Sequence, residues 1–127
     1  MAGSYQFMAQ LVLVGKDWKT RALLRAQLLE EGVDVEAYES TEDGLQTLVA
    51  SPPALVLVDL TASNDPNADI DHLAKWVMRV PTWIIASRSL AAIGKIETLG
   101  AERVLYRPLD VGELVKEIRR RVFPAAR

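Results

Sequence analysis

Residues 52–60 read PPALVLVDL: two prolines and Ala54, then the four apolar residues from Leu55 to Val58, then Asp59 and Leu60. A strand with one face in water would alternate apolar and polar side chains. A continuous apolar run instead indicates a strand that is covered on both faces. Two further runs share this character, at Leu11 to Val14 and at Trp83 to Ala86. Strands buried on both faces are typical of parallel sheets, so these runs predict a parallel sheet.

Helical patterns separate the strands along the chain. Two weaker strands are predicted at Val33 to Tyr38 and at Arg103 to Tyr106, which makes five. Asp17 is placed to cap the first helix. The alternation predicts an α/β protein: a doubly wound five-stranded parallel sheet with helices on both faces, as in flavodoxin-like folds. The predicted helices run from Trp18 to Glu31, Thr41 to Ala50, Ile70 to Val80, Leu90 to Leu99 and Val111 to Val122.

The composition indicates one globular domain. Half of the 127 residues are hydrophobic and a quarter are charged, which excludes a disordered, fibrous or histone-like chain. We predict a tail at 1–9, one domain at 10–123 and a second tail at 124–127. The net charge of -2 hides an uneven distribution, because residues 26–74 contain eleven acids and no Lys or Arg. A folded chain of this kind is expected to have an acidic side and a basic side.

Several classes of site are excluded by residue type. The chain has no cysteine, so it has no disulfide, thiolate metal site or cysteine nucleophile. His72 is its single histidine. No apolar run approaches the roughly 18 residues that span a bilayer, and no signal peptide is recognisable at the start. A cytoplasmic protein without a membrane partner is therefore the expectation.

The residues just after the strands are the first place to look for a site, because ligands of such sheets bind at the carboxyl ends of the strands. Asp59 is the sharpest candidate there, with a turn or cap as the alternative reading. The stretch GKDWKTR after the first strand has a single glycine, which argues against a nucleotide loop. Asp65, Asp69 and Asp71 match no calcium-loop pattern, which favours a solvated acidic loop. The arginines 119–121 lack interleaved aromatics, which favours a solvated helix face over a nucleic-acid site.

Four blocks of the sequence resemble the receiver domains of two-component response regulators, the CheY-like superfamily. They are LVLV at 11–14, PPALVLVDL at 52–60, VPTWIIAS at 80–87 and LGAERVLYRPLD at 99–110. Their order and spacing match over about Gln10 to Val122. The resemblance implies a receiver fold and a non-enzymatic signalling role, with a histidine kinase as a candidate partner.

The resemblance also implies roles for single residues. Asp59 falls at the phosphoacceptor position and Arg107 at the position of a phosphate-binding lysine. The hydroxyl position falls on Ala86, with Ser87 one residue later. The acidic pair that would help to hold Mg²⁺ falls on Gly15 and Lys16. No cofactor is therefore predicted, with Mg²⁺ expected only if Asp59 and Asp17 suffice; helix capping is the favoured role of Asp17.

Three further details complete the comparison. The aromatic position of the fifth strand falls on Val104, with Tyr106 on the same face, and Pro108 matches the family. We hypothesise that Lys16 forms an ion pair with Asp59 and fixes the site without Mg²⁺. The alternative is that Lys16 points to solvent.

The sequence thus predicts an atypical receiver-like domain that acts by protein contact, with impaired Mg²⁺-dependent phosphorylation. The alternatives are a conventional receiver phosphorylated at Asp59, or a small flavodoxin-like ligand-binding domain or enzyme. A protein partner or a second copy is expected on the face formed by helix four, strand five and helix five, through Lys116, Arg119 and Arg120. Nucleic acid would be bound only through an output domain outside this sequence.

Overall fold

The computed structural model describes residues 9–46, 48 and 51–124. Within these residues, strands and helices alternate along the chain, as predicted. The strands are β1 (Leu11–Gly15), β2 (Val35–Tyr38), β3 (Leu55–Asp59), β4 (Thr82–Ala86) and β5 (Arg103–Tyr106). The helices are α1 (Trp18–Glu30), α2 (Thr41–Gln46), α3 (Pro66–Ala74), α4 (Ile93–Glu97) and α5 (Val111–Val122).

All five strands are parallel, in the order β2-β1-β3-β4-β5. The strand order reverses at β1, so the chain leaves β1 and β3 in opposite directions. This is the switch point at which such sheets form a crevice. The register places Gly15 opposite Asp59 and Ala86 opposite Tyr106, so the carboxyl ends of four strands meet at one edge. The predicted fold class is confirmed.

The core consists of two apolar layers, one on each face of the sheet. Leu11, Leu13, Leu55 and Leu57 face α1 and α5. The residues between them in β1 and β3 face the layer that contains residues of α2, α3 and α4. Each buried side chain of this kind stabilises the fold by about 1.5–3 kcal/mol. Every residue of β1, β3 and β4 is buried, which is why their apolar runs are continuous.

Two predicted helices have the wrong bounds. Helix α3 begins at Pro66 rather than Ile70, because the Asp65 side chain accepts a hydrogen bond from the Ala68 amide and caps it there. It ends at Ala74, and the chain continues to Val80 in turns. Helix α4 covers only Ile93–Glu97 and lacks a side-chain cap. An apolar stripe reports which residues are buried, and it does not by itself report where the helical hydrogen bonds stop.

Helix α2 is described only to Gln46, and Leu48 lies in a turn, so the predicted helix to Ala50 does not continue through Leu48. The other bounds differ by one or two residues. Strand β2 begins at Val35 rather than Val33, because the Val33 amide bonds to the Leu28 carbonyl and closes the end of α1. Gly32 has φ +84°, the left-handed conformation that ends a helix at little cost to glycine. Residues 47, 49 and 50 of the predicted second helix, and most of the predicted tails, lie outside the described residues. No helix among those described is both long and apolar enough to cross a membrane.

Candidate functional site

Asp59 is the last residue of β3, at the edge where the strands end. Its side chain is only 6% exposed. Gly15 lies directly opposite, and a Cβ atom there would lie 3.3 Å from the Asp59 Cβ. A side chain at position 15 would therefore crowd the Asp59 side chain at its Cβ atom, and glycine avoids this contact.

Arg107 pairs with Asp59 across this edge. It follows β5, and its amide donates to the Ala86 carbonyl at 3.0 Å, which fixes the backbone beside the site. Its Nη2 atom lies 2.6 Å from Asp59 Oδ2. Such charge-assisted bonds are stronger than neutral ones. The peptide bond from Arg107 to Pro108 is cis.

Thr61 completes the site, and the sequence analysis missed it. Its amide donates to Asp59 Oδ1 at 3.0 Å, and its hydroxyl donates to the same oxygen. That hydroxyl also accepts from Arg107 Nε at 2.9 Å. The signal was available, because an aspartate commonly bonds to the amide two residues further on. Both carboxylate oxygens of Asp59 are therefore engaged by the chain's own groups.

The predicted ion pair between Lys16 and Asp59 is not formed. Lys16 Nζ lies 3.8 Å from Glu39 Oε2, and its side chain is 38% exposed. Glu39 directly follows β2, on the other side of β1 from Asp59. Arg107, from the far side of the site, supplies the cation that the sequence analysis assigned to Lys16.

Asp17 caps α1, as the favoured reading predicted. Its carboxylate accepts from the Lys19 amide at 3.3 Å and from the Thr20 hydroxyl at 2.6 Å. The Thr20 hydrogen bond holds the pKa of Asp17 below its ordinary value. Just before it, the Gly15 carbonyl accepts from Arg21 Nη1 at 2.5 Å. The Gly15 carbonyl and the Asp17 carboxylate, on either side of Lys16, are therefore both bonded to residues of α1.

A cavity of about 170 Å³ opens between Asp59 and the loops after β1, β2 and β3. Mg²⁺ prefers an octahedral set of oxygen ligands. Here Lys16 brings an ammonium into the lining, and the Asp59 carboxylate is bonded to a guanidinium. Among the residues that the structure describes, no group of three or more acidic or histidine side chains is placed to hold a metal. Glu39, Asp65 and Asp69 also line the cavity, but each of these carboxylates is bonded to another group of the chain. This arrangement does not favour a divalent cation beside Asp59.

The acidic loop after β3 uses its carboxylates structurally. Asp65 caps α3, and Asp69 accepts from the hydroxyls of Thr41 and Ser63. Thr41 is 3% exposed, and its Oγ1 also lies 2.9 Å from His72 Nδ1. In a hydrolytic triad the imidazole lies between hydroxyl and carboxylate. Here the hydroxyl lies between the other two, so the cluster joins α2 to α3 and is not a nucleophile.

The hydroxyl and aromatic positions are also placed by the structure. Ala86 is fully buried. Ser87 Oγ bonds to Ser89 Oγ at 2.8 Å, within its own loop. Val104 packs against the core layer beside α4. Tyr106 donates its hydroxyl to Glu97, which raises the pKa of Tyr106, and Arg88 lies 3.7 Å from the centre of its ring.

The cations of α5 do not form one surface. Arg119 Nε bonds to the Glu31 carbonyl at 3.3 Å, and Lys116 lines a groove together with α1 residues. Both therefore lie on the side of α5 that faces α1, and not on the face with β5 and α4 where they were predicted. Arg120 is exposed and forms no ion pair with another described residue. Successive residues of a helix point about 100° apart, so a run of cations spreads around it.

The face beside β5 carries charges that are already paired. Arg121 binds Glu102 through two hydrogen bonds of 2.7 and 2.8 Å. Glu102 also accepts from the Trp83 ring nitrogen at 2.9 Å, and its pKa is lowered to about 2, mainly by Arg121. Arg103 pairs with Glu117 and lies 4.5 Å from the centre of the Trp83 ring. This network ties α5 to the edge of the sheet.

Comparison with known proteins gives a fold but no sequence relative. No family model and no curated protein matches the chain. Many solved structures match the chain, including three that match along nearly their whole length. The response regulator receiver domain protein (CheY-like) from Methanospirillum hungatei JF-1 is 16% identical, with a TM-score of 0.73 and coverage of 91% of this chain and 94% of that one.

The other two solved structures match the chain to a similar extent. The response regulator protein from Burkholderia multivorans is 21% identical, with a TM-score of 0.71 and coverage of 95% of this chain and 100% of that one. The receiver domain of NtrX from Brucella abortus is 20% identical, with a TM-score of 0.70 and coverage of 91% and 99%. These likenesses show that the chain has the fold of response regulator receiver domains, as the sequence resemblance implied.

Proposed function

We propose that this chain is a receiver-like signalling domain that acts by protein contact, with its phosphoacceptor site held in one state by Arg107 instead of being switched by Mg²⁺-dependent phosphorylation. The observation that carries the proposal is the pair between Arg107 Nη2 and Asp59 Oδ2 at 2.6 Å, braced by Thr61. The receiver fold supplies the context for this reading.

Phosphoryl transfer to an aspartate requires that its carboxylate be free to attack and that cations neutralise the transferring group. In this chain one oxygen of Asp59 is bonded to Arg107 and the other to Thr61. The last residue of β1 and the residue after it are Gly15 and Lys16, in place of carboxylates. Mg²⁺ has no place in the proposal, because both oxygens of the Asp59 carboxylate are bonded to groups of the chain.

The guanidinium also differs from the lysine whose position it occupies. An ammonium is a compact point charge, whereas a guanidinium binds through a planar fork and holds a fixed geometry. Arg107 uses two of its nitrogens here, one on Asp59 and one on Thr61. Arg107, Asp59 and Thr61 together form a closed hydrogen-bond network that holds the site in one state. A domain of this kind would act as a constitutive adaptor.

An enzymatic role has weaker support. A hydrolase needs a nucleophile with a base, and a nucleotide enzyme needs backbone groups around phosphates. The single histidine contacts a threonine that is 3% exposed. We therefore place the chain among signalling modules, with a protein partner as its output. A histidine kinase as its input belongs to the alternative in which Asp59 is phosphorylated.

The proposal is tested by titrating the full chain with Mg²⁺ while following tryptophan fluorescence and the amide spectrum. We expect no saturable change at Gly15, Asp59 or Thr61. Asp59→Asn serves as the control, because it removes the anionic ligand on which any site here would depend. Saturable binding in the wild type that is lost in Asp59→Asn would contradict the proposal.

A further inference from the structure

A cavity of about 350 Å³ lies between α2 and the end of α3, and we call it the α2–α3 pocket. Its volume is at the small end of the range of ligand pockets, about 300–1,000 Å³. Both sides contribute residues at spacings of three and four, which is the spacing of one helix face. The residues that line it are Glu42, Leu45, Gln46, His72, Lys75 and Trp76.

The apolar part of this lining comes from Leu45 and Trp76. Leu45 is 3% exposed, and Trp76 is half-buried. Arg79 lies over the Trp76 ring, 5.8 Å from its centre, and is not part of the lining. The indole N–H of Trp76 bonds to no other described residue. The pocket therefore offers an apolar surface together with a donor that the described chain does not use.

The charged part of the lining consists of Glu42 and Lys75, and both side chains are exposed. Neither forms an ion pair with the other or with any other described residue. In this respect they differ from Glu102 and Arg121, which bind each other. Two opposite charges that line one cavity without contacting each other suit a ligand that carries both signs.

His72 is held in place by Thr41. The Thr41 hydroxyl donates to Asp69 Oδ1 at 2.8 Å, so its oxygen is left to accept from His72 Nδ1 at 2.9 Å. In a neutral imidazole the proton is then on Nδ1, and Nε2 is the free acceptor. Thr41 is 3% exposed, so this contact is shielded from water. Thr41 and Asp69 also line the cavity beside Asp59, so they separate the two cavities.

Acceptors and donors are separated along the α2–α3 pocket. Glu42 follows Thr41, which contacts His72, so the two acceptors lie at the same end. Lys75 follows His72 by three residues, about 4.5 Å at 1.5 Å per residue. Helices α2 and α3 run in the same direction, because each follows a strand of the parallel sheet. The pocket therefore has a negative end and, about one turn further on, a positive end.

We propose that the α2–α3 pocket binds a free α-amino acid with an apolar side chain. The ammonium group of the ligand donates to the Glu42 carboxylate and to His72 Nε2, and its carboxylate pairs with Lys75. Its side chain lies against Leu45 and Trp76. A ligand of one sign alone would place a like charge beside Glu42 or Lys75, which is unfavourable. The inference goes beyond the proposed function and does not depend on the state of Asp59.

The test titrates the full chain with L-leucine and with L-phenylalanine while following the amide spectrum and the indole N–H signal of Trp76. We expect saturable shifts centred on residues 42–46 and 72–76, with a dissociation constant in the millimolar range or below. N-acetyl-L-leucine lacks the ammonium group, and L-leucinamide lacks the carboxylate. Each should bind at least about tenfold more weakly than L-leucine, because each leaves one charge of the pocket unpaired.

Variants of the two charged residues assign the ends of the ligand. Glu42→Gln and Lys75→Gln should each weaken L-leucine binding about tenfold. The preference for L-leucine over L-leucinamide should be lost in Lys75→Gln and kept in Glu42→Gln. Glu113→Gln and Lys116→Gln are the matched controls, since these side chains are exposed on α5, and each should change the affinity by less than about twofold. Urea midpoints show whether any variant is unfolded.

Three results would overturn the inference: no saturable shift with either amino acid, equal binding of L-leucine and its two derivatives, or shifts centred away from α2 and α3. The outcome is separable from that of the proposed function. A chain that takes a phosphoryl group on Asp59 and binds L-leucine in the α2–α3 pocket keeps this inference and loses the proposed function. A chain that does neither keeps the proposed function and loses this inference.

Discussion

Arg107 Nη2 lies 2.6 Å from Asp59 Oδ2, at the edge of the sheet where β3 and β5 end. Strand β4 lies between β3 and β5, so the pair of side chains spans the end of β4. The Asp59 side chain is 6% exposed and the Arg107 side chain 34% exposed. The carboxylate is therefore shielded from solvent, whereas the guanidinium is partly exposed.

Removing the guanidinium should destabilise the fold. Arg107→Gln leaves the buried Asp59 carboxylate without its cation, and we expect a loss of about 1–3 kcal/mol in the free energy of unfolding. Urea denaturation measures it. Arg103→Gln is the control, because its pair with Glu117 is at the surface, and its effect should stay within about 1 kcal/mol. Equal losses of unfolding free energy in the two variants would mean that the pair of Arg107 and Asp59 stabilises the fold no more than a surface pair does.

Restoring the missing ligand should create Mg²⁺ affinity. In the variant Lys16→Asp with Arg107→Lys, a carboxylate replaces the ammonium that lines the cavity, and the fork on Asp59 is removed. We expect saturable Mg²⁺ binding in the millimolar range, followed by tryptophan fluorescence. The same chain with Lys16→Asn supplies no new charge and should bind at least several-fold more weakly. If neither variant binds Mg²⁺, residues 16 and 107 are not what excludes the metal.

The buried hydroxyl of Thr41 should matter more than a matched exposed one. Thr41→Val removes the donor to Asp69 and the partner of His72 at a position that is 3% exposed. We expect a loss of about 1–3 kcal/mol in the free energy of unfolding. Thr20→Val removes a donor to Asp17 near the start of α1, in an exposed setting, and should cost clearly less. The reverse order in urea midpoints would argue against a structural role for the α2–α3 cluster.

The lowered pKa of Glu102 predicts that the stability of the fold depends on pH. This pKa is lowered from the ordinary 4.5 to about 2, mainly by the hydrogen bond from Arg121. A lowered pKa means that the pair stabilises the fold fully above pH 4.5 and less as the pH falls toward 2. Glu102→Gln should therefore cost up to about 1 kcal/mol at pH 7, since both side chains are more than one third exposed.

That difference between wild type and Glu102→Gln should shrink between about pH 4.5 and pH 2. Thermal unfolding across this range measures it. Glu113→Gln is the control, because that carboxylate makes only an exposed contact of 3.9 Å with Lys116. A Glu102→Gln difference that is constant with pH would show that Arg121 does not hold the carboxylate in solution.

Burial on both faces is the property that made the fold predictable. The runs at β1, β3 and β4 are apolar at consecutive positions because helices cover both sides of the sheet. The bounds of β5 and α5 were predicted correctly for a different reason: β5 is an edge strand without a buried residue, but each element carries a clear pattern between defined turns. The bounds of α3 and α4 were not, because capping by Asp65 and the absence of a cap on α4 depend on local geometry.

The site was predictable in part. The resemblance placed Asp59 and Arg107 at positions that the structure brings together. Lys16 was paired with the wrong acid, because the direction of a side chain in a loop depends on its neighbours, here Glu39. Thr61 was missed, since its role requires knowing that its hydroxyl faces both Asp59 and Arg107.

The central claim is that the Arg107–Asp59 pair replaces phosphorylation. The most direct test is incubation of the full chain with a small phosphodonor and Mg²⁺, followed by intact-mass measurement, with Asp59→Asn as the control. We expect the wild type and Asp59→Asn to keep their unmodified masses. A single added phosphoryl group on the wild type that is absent from Asp59→Asn would contradict it.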